Sequence, residues 1–75
     1  MTLNEAKDRF LNKICDISWE PIDRPMRKGE AIMRDTLNVL VTEIFVDTHD
    51  KVCFRCKDKI YVPFEVTRLR NPRNP

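Results

Sequence analysis

One glycine in 75 residues leaves little material for a phosphate-cradling loop, which needs several residues without a Cβ so that backbone donors can reach an anion. One histidine, His49, gives catalysis a single imidazole, and it falls in Asp47-Thr48-His49-Asp50, which reads as a solvated turn. The carboxylates are scattered, with no pair set out as general acid and base. No apolar run approaches the roughly 18 residues needed to cross a bilayer. The opening Thr2, Asn4, Glu5, Lys7 and Asp8 are no secretory leader. Three cysteines, Cys15, Cys53 and Cys56, are odd in number and too few for a disulfide scaffold; they fit reduced thiols. These shortages argue against an enzyme, a cofactor and a membrane partner, and the expectation is a cytoplasmic location.

What remains is an ordinary globular composition, 41% apolar and 35% charged, sufficient for one small domain over residues 1–75. A core this small is naturally supplemented by a homodimer. The net charge of +2 hides an asymmetry. Residues 1–50 carry seven Lys or Arg against ten Asp or Glu, a net of −3. Residues 51–75 carry seven against two, a net of +5. The basic end is the place to look for an anionic partner.

Thr2-Leu3-Asn4-Glu5 has the form of a capping box. Leu3, Ala6, Phe10, Ile14 and Ile17 then recur at steps of three and four, with charged Lys7, Asp8, Arg9 and Lys13 elsewhere. This predicts an amphipathic helix over 2–17. Trp19, Pro21 and Pro25 make 18–28 an extended link, since each proline biases its predecessor away from helix. Gly29 supplies a turn and 31–34 a short strand. Val39 to Val46, apolar on both faces, reads as a central strand. After the turn at 47–50, Val52, Phe54 and Cys56 alternate with Lys51, Cys53, Arg55 and Lys57, a half-buried strand with a basic outer face. Asp58-Lys59 turn the chain, Ile60, Val62 and Phe64 alternate again, and Val66 and Leu69 anchor the last element. Residues 71–75 read as a mobile tail. The fold class is α+β: an N-terminal helix packed on a four- or five-stranded antiparallel β unit at 29–70, either a small SH3-like barrel or an open sheet.

From Gly29 to Arg70 the pattern resembles SH3-like barrel modules of the Tudor and chromo-barrel kind. The cues are Gly29-Glu30, the strand at 38–46, the hairpin through 47–57, and Val62-Pro63-Phe64-Glu65-Val66 before Arg68-Leu69-Arg70. Gly29-Glu30-Ala31-Ile32-Met33 with the later Ile60-Tyr61-Val62 is similar to the carbon storage regulator family, which implies an intertwined RNA-binding dimer. The chain departs from that family in beginning with a helix and in placing Pro63-Phe64 where the family has an arginine. Tyr61-Val62-Pro63 and Phe64-Glu65-Val66-Thr67-Arg68 resemble the C-terminal segment of the T7-type phage inhibitor of bacterial RNA polymerase. That resemblance implies a phage or mobile-element protein docking on a host enzyme through Arg68 and Arg70.

Two constellations remain. Cys15, His49, Cys53 and Cys56 have the donor chemistry of a zinc site. Residues three apart on a strand, however, point to opposite faces, so the plainer reading puts Cys56 in the core and Cys53 outside. Lys51, Arg55, Lys57, Lys59, Arg68 and Arg70, with Arg73, form the second set. On one surface they would meet phosphates, with Tyr61, and Trp19 if exposed, as stacking faces for unpaired bases. The plainer alternative is a solvated exterior with lysines guarding a strand edge. Trp19 and Phe45 read first as packing residues, and Trp19, Pro21, Ile22, Pro25 and Met26 as a docking or dimer surface if exposed. The expected function is a non-enzymatic binding module for RNA or DNA; the alternative is a protein-interaction factor that docks on a host enzyme.

Overall fold

The computed structural model describes residues 1–18, Pro25, 35–56 and 64–75. It contains α1 (Leu3–Phe10), β1 (Ile14–Ile17), β2 (Thr36–Val46), β3 (Val52–Cys56), β4 (Phe64–Glu65), a single 3-10 turn (Val66–Arg68) and β5 (Leu69–Arg73). The expected features at Trp19, Gly29, residues 31–34, 57–59 and 60–63 lie outside the described residues.

The helix starts as its sequence specifies. Thr2 Oγ1 accepts the Glu5 N–H at 3.2 Å and donates to Glu5 Oε1 at 3.1 Å, satisfying an orphan donor of the first turn. It ends seven residues sooner than 2–17. Leu11 is extended at φ −65, ψ 131, its N–H closing on Lys7 O. Asn12 follows at φ 59, the left-handed position after a helix that Asn tolerates in place of glycine. Asn12 N–H then donates to Val41 O and Val41 N–H to Lys13 O, both at 2.9 Å, so the chain passes directly into β1. Ile14 and Ile17 therefore belong to a strand. Cys15 and Ile17 face the core at period two, whereas Phe10, Ile14 and Ile17 had matched a helix at steps of four and three. The short helix buries only Ala6 and Phe10, with Leu3 packed alongside. It lies against β2 and β5.

The strands pair in the order β4-β3-β2-β1-β5, every described pairing antiparallel. The outermost strands, β4 and β5, are joined by one 3-10 turn. Four strand spacings in a flat sheet span about 19 Å, while the four peptide steps from Glu65 to Leu69 reach at most about 14 Å even when extended. The sheet must therefore curl. No pairing links β4 to β5 among the described residues.

Three irregularities produce the curl. In β2, Val41 pairs with Cys56 but Glu43 with Arg55, one extra residue at Thr42, whose Oγ1 donates to Arg55 O at 3.3 Å. That bulge switches the parity of β2 and explains how Val41 and Ile44 both reach the core. Against β1, both neighbours carry an extra residue: Cys15–Ile17 spans Val39–Thr36 on β2, and Ile14–Asp16 spans Arg73–Arg70 on β5. Each of these bulges contains an asparagine with positive φ, Asn38 at 60 and Asn71 at 53. Strand β5 extends through Arg73, and Lys13 Nζ reaches Asn74 Oδ1. Residues 71–73 are thus part of the sheet rather than a mobile tail.

The core gathers Ala6, Phe10, Cys15, Ile17, Val41, Ile44, Phe54, Cys56, Val66 and Leu69. Phe54 is fully enclosed, so Phe54→Ala is expected to cost about 3–5 kcal/mol. That is a large share of the roughly 4–11 kcal/mol available to a domain of this size, and urea unfolding checks it.

Two carboxylates hold backbone in place. Asp16 accepts from Asn71 Nδ2 at 3.0 Å, the Asn38 N–H at 3.2 Å and Arg73 Nη2 at 3.0 Å. These partners, Asn71 foremost, hold its carboxyl below the usual range. Asp47 Oδ1 accepts the N–H groups of Lys51 and His49, both at 2.9 Å, and Lys51 is the largest cause of its lowered pKa. A depressed folded-state pKa means stability that is complete above the ordinary Asp value of about 3.9 and is lost as pH falls through the folded value. Asp16→Asn is expected to lower the melting temperature at pH 7, and the gap from the parent should close on acidification. Thermal denaturation between about pH 7 and pH 2 reads this directly.

Candidate functional site

The described members of the predicted basic set lie in different surroundings. Lys51 is exposed at the end of the β2–β3 turn. Arg55, on β3, is half-buried: its guanidinium lies 4.6 Å from the Phe45 ring centroid, and Nη1 is 3.2 Å from Glu43 Oε2 on the neighbouring strand. Arg68 is only 7% exposed. It sits in the 3-10 turn, where its carbonyl accepts the Ser18 N–H at 2.9 Å, so the outward-facing role expected of it is corrected. Arg73 pairs with Asp16 at 3.0 Å and also donates to Asn38 Oδ1. Arg70 is exposed on β5, three places from β3 in the strand order. Lys57, Lys59 and Tyr61 lie outside the described residues, as do Trp19, Pro21, Ile22 and Met26 of the expected apolar cluster; Pro25 is exposed.

Arg70 has a different companion. A cleft of about 570 Å³ opens between α1, the 3-10 turn and β5. Its floor is formed by Phe10, Val66 and Leu69, whose buried side chains belong to the core. Arg9 lies on the helix wall and Arg70 on the strand wall, with Thr67, Asn71, Pro72 and Met1 completing the lining. Among the described residues no Asp or Glu lines it. Arg9 is exposed, its guanidinium 5.3 Å from the centroid of Phe10. Arg70 Nη1 donates to the carbonyls of Thr67 and Leu69, the latter at 2.9 Å. Backbone acceptors thus orient this guanidinium without neutralising it, and neither arginine has a carboxylate partner among the described residues.

Arg9 is the residue that sequence reasoning missed. Its place on the charged side of a four-turn helix gave it no distinction. Only the early end of α1 and the return of β5 beside it create a wall there. The available signal was Asn12, a residue suited to ending a helix just after Phe10.

The cysteines occupy separate surroundings. Cys15 is fully enclosed in β1, and burial raises its thiol pKa, opposed by the charge on Arg73. Cys56 is in the core beside Phe54, as expected. Cys53, apart from the core cluster, is nevertheless covered at 4% exposure, its Sγ donating to Asp47 Oδ2 at 3.7 Å. His49 is exposed in the turn, its backbone N–H held by Asp47. Among the described residues no three His, Cys, Asp or Glu side chains are placed to share a metal ion.

No helix among the described residues is long and apolar enough to cross a membrane. No family model matches the chain, and the searches of curated proteins and of solved structures found no match.

None of the three cysteines is in a disulfide, and all are buried. An aromatic disulfide reagent is expected to titrate three thiols promptly in denaturant and to react at least about a hundredfold more slowly with the folded chain, since burial denies the reagent access.

Proposed function

We propose that this chain is a non-enzymatic nucleic-acid-binding module of the SH3-like kind, with the cleft between α1 and β5 as its site. The SH3-like reading is supported by the long central β2, the hairpin that follows it, and the curl that brings the two outermost strands within reach of one 3-10 turn. The observation that supports the ligand class is that Arg9 of α1 and Arg70 of β5 both line one cleft that, among the described residues, has no lining carboxylate. Arginine presents several donors in a fixed fork and is weakly hydrated, which suits it to phosphate oxygens. Docking on a protein through Arg68 together with Arg70 draws less support, because Arg68 is turned inward.

Binding of fluorescently labelled RNA and DNA strands of about 12 nucleotides tests the proposal. Two phosphate contacts predict a slope near −1.4 in log affinity against log salt for a single strand, about 0.7 per contact. Arg9→Ala and Arg70→Ala should each reduce the slope by about 0.7, while Arg55→Ala, on another part of the sheet, should leave it in place. Absence of binding at about 20 mM salt, where screening is weak, overturns the reading.

A further inference from the structure

Resting on that reading, we infer that the cleft takes an unpaired nucleotide: a phosphate between Arg9 and Arg70, and the base against the apolar side of the lining. Charge alone argues the other way. A duplex presents one phosphate charge per about 1.7 Å and repays each cation more fully than a single strand does. A module working by charge would therefore prefer duplex.

The described arginines of the basic end leave little free charge. The chain's net charge is +2, and of the four described arginines after residue 50, Arg55 and Arg73 face carboxylates and Arg68 is buried. What it has instead is concavity. A volume of about 570 Å³ lies in the roughly 300–1,000 Å³ range that encloses small organic ligands, a class to which a nucleotide belongs. Its lining includes the apolar residues Met1, Phe10, Val66, Leu69 and Pro72.

A duplex is convex and keeps its bases stacked inside. It would touch the two arginines at the rim and leave the apolar lining unused. A single strand can turn a base inward, where π-faces meet apolar side chains and guanidinium planes without regard to sequence. Arg70 is set for this role, because the carbonyls of Thr67 and Leu69 fix its Nη1 edge and leave its remaining donors to a ligand. Arg9, beside Phe10 on the opposite wall, closes the other side.

The experiment compares three ligands of equal length on the full chain at one salt concentration: an unpaired uridine or thymidine strand, a duplex, and the unpaired strand with abasic residues that keep every phosphate. The unpaired strand is expected to bind at least about tenfold tighter than the duplex. Removing bases should cost a similar factor at an unchanged salt slope, since base contacts are lost and phosphate contacts kept. Amide resonances of Arg9, Thr67, Leu69 and Asn71 should shift with the unpaired strand. Duplex binding as tight as the single strand, or an abasic strand that binds undiminished, overturns the inference and leaves nucleic-acid binding standing. Binding to none of the three overturns both. The same amides shifting with a glutamate-rich peptide, in the absence of nucleic-acid binding, would assign the cleft to an acidic protein segment instead.

Discussion

Asp16 sits in the middle of β1, and both neighbours of that strand are irregular. On one side β2 bulges at Asn38, on the other β5 bulges at Asn71, and each asparagine takes a positive φ. One carboxylate meets both. Oδ1 takes the Asn38 backbone N–H, Oδ2 takes the Asn71 side chain, and Arg73 bridges from Asp16 to Asn38 while its Nη1 holds the Asn71 carbonyl at 2.8 Å. Bulges raise local twist and interrupt ladder bonding, so each leaves backbone groups to be satisfied by something other than a strand. The side chains around Asp16 meet part of that need for two bulges at once.

The cleft depends on this arrangement through register. Arg70 is the β5 residue opposite Asp16. The extra residue beyond it, next to Pro72, turns β5 and places Arg70, Asn71 and Pro72 along one wall. Without the bulge, strand parity past that point would change and the wall would be built of different side chains. The 3-10 turn contributes from the other direction: Val66 and Leu69 anchor it in the core, and its carbonyls fix Arg70. Rigidity in β1 and the turn is thereby passed to an exposed guanidinium, which is how a surface cation becomes a directed donor rather than a mobile charge.

Local chemistry was legible in the sequence, and parity was not. Thr2 and Glu5 announced the helix start, Asp47 the turn before β3, and Val52, Phe54 and Cys56 the inward face of β3, because each signal is confined to a few neighbours. The helix end was obscured by coincidence: Phe10, Ile14 and Ile17 match a helical stripe, while Cys15 and Ile17 match a strand equally well. A bulge has no sequence signature beyond an asparagine or an unremarkable Thr42, so apolar residues on both sides of β2 suggested a doubly covered strand. In the structure Val39, Val41 and Ile44 share the inward face across the change of parity, while Phe45 lies on the other side beneath Arg55.

The charge asymmetry of the chain carries a related lesson about where a site arises. Seven basic residues among the last 25 suggest a basic surface, yet sequence charge counts every cation alike. Folding does not. Glu43 and Asp16, both from the acidic first part of the chain, meet Arg55 and Arg73 across strand pairs. Two of those seven charges are met by contacts between the two parts. Exposed ion pairs of this kind add little stability, but they remove those arginines from the set available to an anionic ligand. Arg70 escapes because backbone carbonyls, rather than a carboxylate, receive it, and Arg9 because its guanidinium lies over the Phe10 ring with no carboxylate partner among the described residues. A site defined by what pairing leaves over draws one arginine from each end of the chain, and so lies where no run of basic residues pointed.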